Sequence, residues 1–189
     1  MRSLQISVQI NIFNAFKISI QLAIICLTDV KSNKYTSISG SLRPNSSNAA
    51  ILHIIGAMAG GDIVYTIYYG IDKLPHFSPP LDNDSATEPF NKFREALNKA
   101  DGVIICTPEY AFGVPGVLKN ALDWTVSTGN FDNKPTAVIT ASSSGDKAHA
   151  SLLLTFKALG ASVAANGSLL IPYVRTKLNE QGEINDPAL

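Results

Sequence analysis

The stretch DGVIICTPEYAFGVPGVLKNALDW, residues 101–124, decides the fold. Its residues 103–106 form a short, wholly apolar run, typical of a strand that is buried on both faces of a parallel sheet. A loop follows at 107–114. Pro115 then begins a helix, because proline loses nothing at a first helical position, where its N–H would have no partner. This stretch therefore predicts one strand–loop–helix unit of a parallel α/β sheet.

The same unit repeats on both sides of this stretch. The patterns of apolar residues predict further strands at 35–39, 63–69, 136–141 and 168–172. They predict helices at 48–59, 87–100, 115–126 and 147–159, with Phe90, Phe93 and Leu97 on the inward face of the second. The alternation predicts an α/β fold with a doubly wound, five-stranded parallel sheet.

Two features depart from that pattern. The first strand, YTSIS at 35–39, is largely polar. At the other end, Asp186-Pro187 has the form of a helix start, but only two residues follow, so the last helix of a doubly wound sheet is missing. We therefore expect part of the sheet, and the helix that carries Ile51 and Ile55, to be left exposed.

The domain is expected to comprise residues 34–189, with residues 1–33 as an apolar extension. The apolar run at 18–27 is too short to indicate a membrane span. One hypothesis is that the apolar segment at 10–27 folds as a helix and occupies part of the groove left by the missing last helix. The alternative is a truncated chain with a disordered N-terminus and an unstable domain.

Composition excludes several functions. Lys plus Arg and Asp plus Glu each number 15, and no basic run occurs, which argues against nucleic-acid binding. Two cysteines, Cys26 and Cys106, lie in apolar runs and indicate buried thiols in a cytoplasmic protein rather than disulfides. Three histidines lie far apart, so no metal site is expected.

Three loops follow carboxyl ends of predicted strands, where α/β sheets bind ligands. The first loop (residues 40–48, GSLRPNSSN) joins a strand to a helix N-terminus, whose free N–H groups favour an anion. Its serines add donors, and Arg43 adds a charge suited to phosphate. The alternative is an ordinary polar turn with a serine N-cap. The glycine-rich Walker and dinucleotide-binding motifs are both absent from it.

The second loop (residues 107–114) and the third loop (residues 142–145) follow the third and fourth strands. The second loop combines prolines, glycines and two aromatic residues, which gives a stiff rim with exposed backbone. Such a rim suits a flat heteroaromatic ring. Spacing alone, however, favours ordinary packing for Tyr110 and Phe112.

Two motifs in these loops resemble the NADPH-dependent FMN reductase family. Gly40-Ser41-Leu42-Arg43 with Ser46 and Asn48 resembles its phosphate loop, and PEY at 108–110 through PGVLKNALDW at 115–124 resembles its second signature. The resemblance, over residues 37–187, implies a flavodoxin-like fold, bound FMN, and a homodimer or homotetramer.

The resemblance also implies roles for individual residues. The FMN phosphate would be held by Ser41, Arg43, Ser46, Ser47 and Asn48. The isoalloxazine ring would be bordered by Pro108, Glu109, Tyr110, Ala111, Phe112 and Gly113, and closed on its far side by Ser142, Ser143, Ser144 and Gly145. Ala111 stands where family members often have asparagine, which removes one polar contact. Helix packing or a subunit interface is expected for Lys119, Asn120, Asp123 and Trp124.

The activity that the resemblance implies is hydride transfer from NADPH or NADH, through flavin N5, to a small acceptor. Such acceptors are quinones, azo compounds, metal oxyanions or free flavin, and no catalytic acid or base from the protein is needed. Glu109 could serve as a base, although a structural hydrogen-bonding role suits it better. The alternatives are a flavodoxin-type electron carrier without a nicotinamide step, which is usually strongly acidic, or a truncated relative that no longer holds FMN.

Overall fold

The computed structural model describes residues 34–82 and 87–185, which form five strands and four α-helices. The strands are β1 (Lys34–Ser39), β2 (Val64–Tyr68), β3 (Gly102–Thr107), β4 (Thr136–Ala141) and β5 (Ser168–Ile171). The helices are α1 (Ser47–Met58), α2 (Glu88–Lys99), α3 (Gly116–Asp123) and α4 (Asp146–Ala158). Each of these elements was predicted, and the ends shift by no more than a few residues.

The sheet is parallel throughout, with the strand order β2-β1-β3-β4-β5. Every residue of β3 is buried, as its apolar run predicts, and every residue of β4 is buried as well. Because the strand order reverses between β1 and β3, the loops that leave these two strands diverge and open a crevice at their carboxyl ends. The predicted doubly wound, five-stranded sheet is confirmed.

The polar first strand lies in the interior of this sheet. Thr36 and Ser37 are both buried. The Thr36 hydroxyl donates to the Ala96 carbonyl at 3.4 Å, and the Ser37 hydroxyl donates to the Thr66 carbonyl at 3.3 Å. Since a buried hydroxyl with a partner carries little penalty, β1 can be polar and still lie between β2 and β3.

Helices α2, α3 and α4 pack on one face of the sheet in a core rich in aromatic residues. Phe90, Phe93 and Leu97 of α2 are buried there, as predicted. The Trp124 ring packs edge-to-face with the rings of Phe77 and Phe90. The centroid distances are 5.1 Å to Phe77 and 4.6 Å to Phe90. These edge-on contacts fix the helices relative to one another, because aromatic pairs favour a defined geometry.

On the opposite face, α1 buries only the side that faces the sheet. Ile51 and Ile55 are 0% and 2% exposed, whereas His53 and Ala57 on the outer side of the same helix are exposed. Tyr65 of β2 donates its hydroxyl to the Leu52 carbonyl at 2.8 Å, and Leu178 and Ile184 join the same apolar cluster. The chain after β5 therefore packs beside α1 without forming an α-helix in the described residues.

Helix α3 ends at Asp123, three residues before the predicted end at 126. The Thr125 hydroxyl donates to the Leu122 carbonyl at 2.7 Å, and Arg94 donates to the Trp124 carbonyl at 3.0 Å. These side chains satisfy carbonyl groups that a longer helix would have paired with its own N–H groups.

Two expectations about the chain ends, the helix at 10–27 and the helix start at Asp186-Pro187, lie outside the described residues. Within the described ranges, no helix is long and apolar enough to cross a bilayer.

Candidate functional site

The first loop passes directly over the carboxyl end of β3 at Gly40. The Gly40 N–H donates to the Cys106 carbonyl at 2.8 Å. A Cβ atom on residue 40 would lie only 2.2 Å from the Thr107 Oγ1 atom. No side chain fits in that space, so glycine lets the first loop and β3 meet in one crevice.

Serine side chains shape the rest of the first loop. Ser46 Oγ accepts the Ala49 N–H at 3.1 Å and so caps α1, and Ser41 Oγ accepts the Arg43 N–H at 3.4 Å. In these bonds both hydroxyls act as acceptors, and each therefore keeps its own O–H free to donate. The N-cap interpretation and the anion-binding interpretation of this loop are thus compatible.

The start of α1 has the features of an anion site. Among the described residues, the N–H groups of Ser47 and Asn48 have no hydrogen-bond acceptor. Arg43 is exposed and forms no ion pair with any acidic side chain of the described ranges. Free N–H groups at a helix N-terminus, two serine hydroxyls and one guanidinium are the donors that a phosphate group requires. The residues present therefore fit the phosphate of FMN.

The Asn48 side chain has two hydrogen-bond partners within the protein. It is buried, and its amide donates to the Ala141 carbonyl at 3.3 Å while accepting the Cys106 thiol at 3.3 Å. Burial raises the pKa of that thiol, which keeps it protonated and able to donate. The Asn48 side chain thus joins α1 to β3 and β4, and only its backbone N–H faces the anion site.

A cavity of about 1260 Å³ adjoins the first loop. Residues 41–47 line one side of it, and the outer face of α1 at His53, Ile54 and Ala57 lines another. Residues 68–73 and 178–184 complete the wall. No sequence motif marks these last two segments, because tertiary contacts such as the pairing of β2 with β1 bring them there. The second and third loops are not part of this cavity.

The second loop contains a tight hairpin (residues 110–113). Tyr110 and Gly113 exchange two backbone hydrogen bonds of 3.0 Å each. Between them, Ala111 and Phe112 have left-handed φ values of 49° and 59°, as type I′ turns require. Tyr110 is 54% and Phe112 78% exposed. Ordinary packing, which spacing alone favoured for both aromatic rings, is therefore the wrong interpretation.

Glu109 connects the second loop to the third. Its carboxylate accepts the Gly145 N–H at 3.3 Å and the Ala148 N–H at 2.8 Å, at the start of α4. Its own N–H donates to the Ser142 hydroxyl at 3.2 Å. The carboxylate therefore has the structural role that suited it better than that of a general base.

The third loop is continued by a turn that sequence reasoning missed. Tyr173 donates its N–H to the Ser143 carbonyl at 3.2 Å, and its side chain is 70% exposed. Ser143 and Ser144 are both exposed as well. Tyr173 follows β5, and only the parallel order of β4 and β5 places it at the third loop. The signal available in the sequence was its position just after a predicted strand.

Residues of the second signature on α3 hold a neighbouring loop in place. Asn120 accepts the Phe77 N–H at 2.7 Å and donates to the Pro75 carbonyl at 3.0 Å. Trp124 donates its indole N–H to the same carbonyl at 2.8 Å. These bonds agree with the expected packing role of the two residues.

Comparisons with known proteins agree on one family. The family model described as NADPH-dependent FMN reductase matches residues 33–176. A 2-hydroxy-1,4-benzoquinone reductase of a Burkholderia species is 40% identical over 91 residues, which cover 48% of this chain and 49% of that protein. An NAD(P)H-dependent FMN reductase of Pseudomonas aeruginosa is 36% identical over 118 residues, which cover 58% of this chain and 60% of that protein. The matches thus span about half of the length of these curated relatives.

A solved structure resembles the fold over most of its length. The flavoenzyme NAD(P)H:(acceptor) oxidoreductase FerB of Paracoccus denitrificans superposes with a TM-score of 0.71 at 25% identity. The superposition covers 82% of this chain and 88% of that one.

Proposed function

This chain belongs to the NADPH-dependent FMN reductase family, and from that premise we propose that it binds FMN and passes reducing equivalents from a nicotinamide nucleotide to small acceptors. The observation that carries the proposal is the anion site at the start of α1, where Arg43 has no acidic partner among the described residues. A phosphate bound there would lie at the carboxyl edge of β1, where ligands bind in open α/β sheets.

In this proposal the FMN phosphate binds to the first loop. The donors are the hydroxyls of Ser41 and Ser46, the guanidinium of Arg43, and the N–H groups of Ser47 and Asn48. The ring lies between the hairpin with its preceding residues and the third loop, in contact with Pro108, Glu109, Tyr110, Ala111, Phe112, Gly113, Ser142, Ser143, Ser144 and Gly145.

FMN, when bound, supplies the hydride chemistry, and the protein contributes binding, orientation and the surrounding charges. No side chain is required as an acid or base, in keeping with the engagement of the Glu109 carboxylate by two N–H groups. The exposed rings of Tyr110 and Phe112 offer apolar faces to a flat acceptor such as a quinone. We include azo compounds, metal oxyanions and free flavin among the acceptors.

The proposal extends to three further properties. The assembly is a homodimer or homotetramer, as the family resemblance implies. The location is cytoplasmic, which suits the free, buried thiol of Cys106. The functional domain comprises residues 34–189, and residues 1–33 are an extension to it.

The test is a visible absorption spectrum of the purified protein, before and after addition of FMN, followed by anaerobic addition of NADPH. Flavin absorption that disappears rapidly with NADPH supports the reductase. If the protein binds flavin but neither NADPH nor NADH bleaches its absorption, a flavodoxin-type carrier is favoured. A protein that binds no flavin would contradict the proposal.

Steady-state kinetics test the order of the steps. One site that receives first the nicotinamide and then the acceptor should give parallel initial-rate plots with a quinone acceptor. Intersecting plots would contradict the two-step scheme.

A further inference from the structure

Glu109 is the residue through which the second and third loops are connected. Three of its hydrogen bonds leave the second loop, two to Ser142 and Gly145 of the third loop and one to Ala148 of α4. Those partners lie 33 to 39 residues further along the chain. Within the second loop itself, the hairpin is closed only by the two bonds between Tyr110 and Gly113. Glu109 therefore adds direct hydrogen bonds between two loops that leave the paired strands β3 and β4.

Helix α4 cannot be capped from its own N-cap position. Gly145 occupies that position with a φ of 102° and offers no side chain. A Cβ atom there would lie 2.9 Å from Leu170 Cδ1 and 3.1 Å from Thr140 Cγ2, so a capping serine or aspartate does not fit. The N–H groups at the start of α4 must find an acceptor elsewhere, and the Glu109 carboxylate is that acceptor.

The hydrogen bonds of the Glu109 carboxylate link the start of α4 to the position of the hairpin. A carboxylate at a helix N-terminus is stabilised by the helix dipole as well as by its hydrogen bonds. Because the carboxylate belongs to the residue just before Tyr110, the same bonds that cap α4 also fix where the hairpin begins. The residues on both sides of the proposed ring site are thus positioned by one side chain.

We propose that Glu109 is a positioning residue for the flavin ring, which holds the hairpin and the third loop at a fixed separation by capping α4. This inference rests on the proposed function, since it takes the ring to lie between these two loops. It assigns Glu109 no proton transfer, and its effect is on ring affinity rather than on phosphate affinity.

The experiment measures the dissociation constant of lumiflavin, which has the ring but no phosphate, by fluorescence titration of the full chain. Glu109→Ala removes both accepted bonds and should weaken lumiflavin about ten-fold, because ordering the two loops must then be achieved on binding. Glu109→Gln keeps the shape and one acceptor oxygen, and should give an intermediate value. Ser142→Ala removes the third bond and should cause a smaller loss.

A matched control separates positioning from general stability. Lys134 donates to the carbonyls of Leu97 and Ala100 and so caps the C-terminus of α2, at the amino end of β4. Lys134→Met should lower the denaturation midpoint without changing the lumiflavin constant.

The outcomes distinguish the two levels of the proposal. If the unmodified protein binds neither FMN nor lumiflavin, the proposed function fails. If it binds both, but Glu109→Ala and Lys134→Met bind lumiflavin equally well, the positioning role is overturned and Glu109 only stabilises the fold. Should Glu109→Ala fail to fold, unchanged lumiflavin binding in both Glu109→Gln and Ser142→Ala overturns the role.

Discussion

The first and second loops leave neighbouring strands at the same edge of the sheet, yet they are held in different ways. The first loop is fixed by contact with β3 at Gly40 and by serine hydroxyls that bond to its own backbone. The second loop protrudes, with two consecutive left-handed residues and two exposed aromatic rings. The first loop thus carries hydrogen-bond donors and is tightly packed against β3. The second loop carries exposed apolar side chains on a turn with left-handed backbone angles.

The difference matches what each loop is proposed to bind. A phosphate is small and charged, so it needs several donors at fixed positions. A flavin ring is wide and mostly apolar, so it needs flat contact surface and a fixed gap. Strain is tolerated in the second loop because Glu109 and the hairpin bonds hold it, whereas the first loop depends on the absence of a side chain at Gly40.

The largest effect is expected where the first loop crosses β3. Gly40→Ala would place a methyl group 2.2 Å from Thr107 Oγ1 and 3.0 Å from Leu118 Cδ2, so the loop or β3 must shift. We expect a loss of about 3 kcal/mol in the free energy of unfolding, as in overpacked cores, together with loss of FMN binding. Chemical denaturation and flavin titration measure the two effects.

Gly116→Ala is the control for that substitution. Gly116 is the first residue of α3, and a Cβ atom at this position would point into open space. Alanine is the better helix former, so this variant should be unchanged or slightly more stable. A Gly40→Ala protein as stable as the Gly116→Ala protein would show that the first loop is not constrained by β3.

The next effect separates the phosphate site from the ring site. Arg43→Ala removes one charge-assisted contact and should weaken FMN by about ten-fold or more, while riboflavin, which has no phosphate, keeps its affinity. Both dissociation constants come from fluorescence titrations under the same salt conditions. Equal losses for the two flavins would mean that the first loop does not hold the phosphate.

The strand and helix order could be predicted because it depends on local patterns. The run at 103–106 indicates a buried strand by itself, and Phe90, Phe93 and Leu97 define a helix face by their spacing. Likewise, the first loop was identified from its serines and Arg43. Local sequence therefore predicted the elements and the positions of three loops.

Features that depend on tertiary contacts could not be predicted. The polarity of β1 is explained by carbonyl groups of α2 and β2, which are distant in sequence. The Asn48 side chain lies within the crevice wall because Cys106 and Ala141 are its partners. The position of Tyr173 beside the third loop requires the pairing of β4 with β5. Each depends on which strands become neighbours.

A smaller effect tests the strain in the hairpin. Ala111 has a φ of 49° and is exposed, so its substitution changes mainly the backbone energy. Ala111→Asn should stabilise the protein by up to about 1 kcal/mol, since asparagine tolerates the left-handed region. Ala111→Val should destabilise it, because a β-branched residue resists a positive φ. Thermal or chemical denaturation measures both changes in stability. If the two variants shift stability in the same direction, the left-handed backbone at Ala111 is not a source of strain.

The smallest effect concerns the pH dependence of stability. It compares one histidine on each of the two helices that follow the first and third loops. His149 of α4 is half-buried between two neutral hydroxyls, with Thr140 Oγ1 2.9 Å from Nδ1 and Ser168 Oγ 2.9 Å from Nε2. Burial lowers the pKa of His149 from its ordinary value of 6.5. The unfolded chain therefore binds the proton more readily than the folded protein does. The stability that His149 contributes is present above pH 6.5 and is lost as the pH falls through 6.5 toward the lower folded value.

His53 of α1 provides the matched comparison, because it is exposed and meets only the Tyr69 hydroxyl, at 3.3 Å, among the described residues. Denaturation midpoints at pH 7.5 and pH 5, both chosen to bracket the ordinary pKa of about 6.5, should show a smaller acid-induced drop for His149→Gln than for the unmodified protein. His53→Gln is the control for loss of a histidine side chain at an exposed position. If both variants keep the full acid-induced drop in the denaturation midpoint, protonation of His149 does not contribute to the loss of stability in acid.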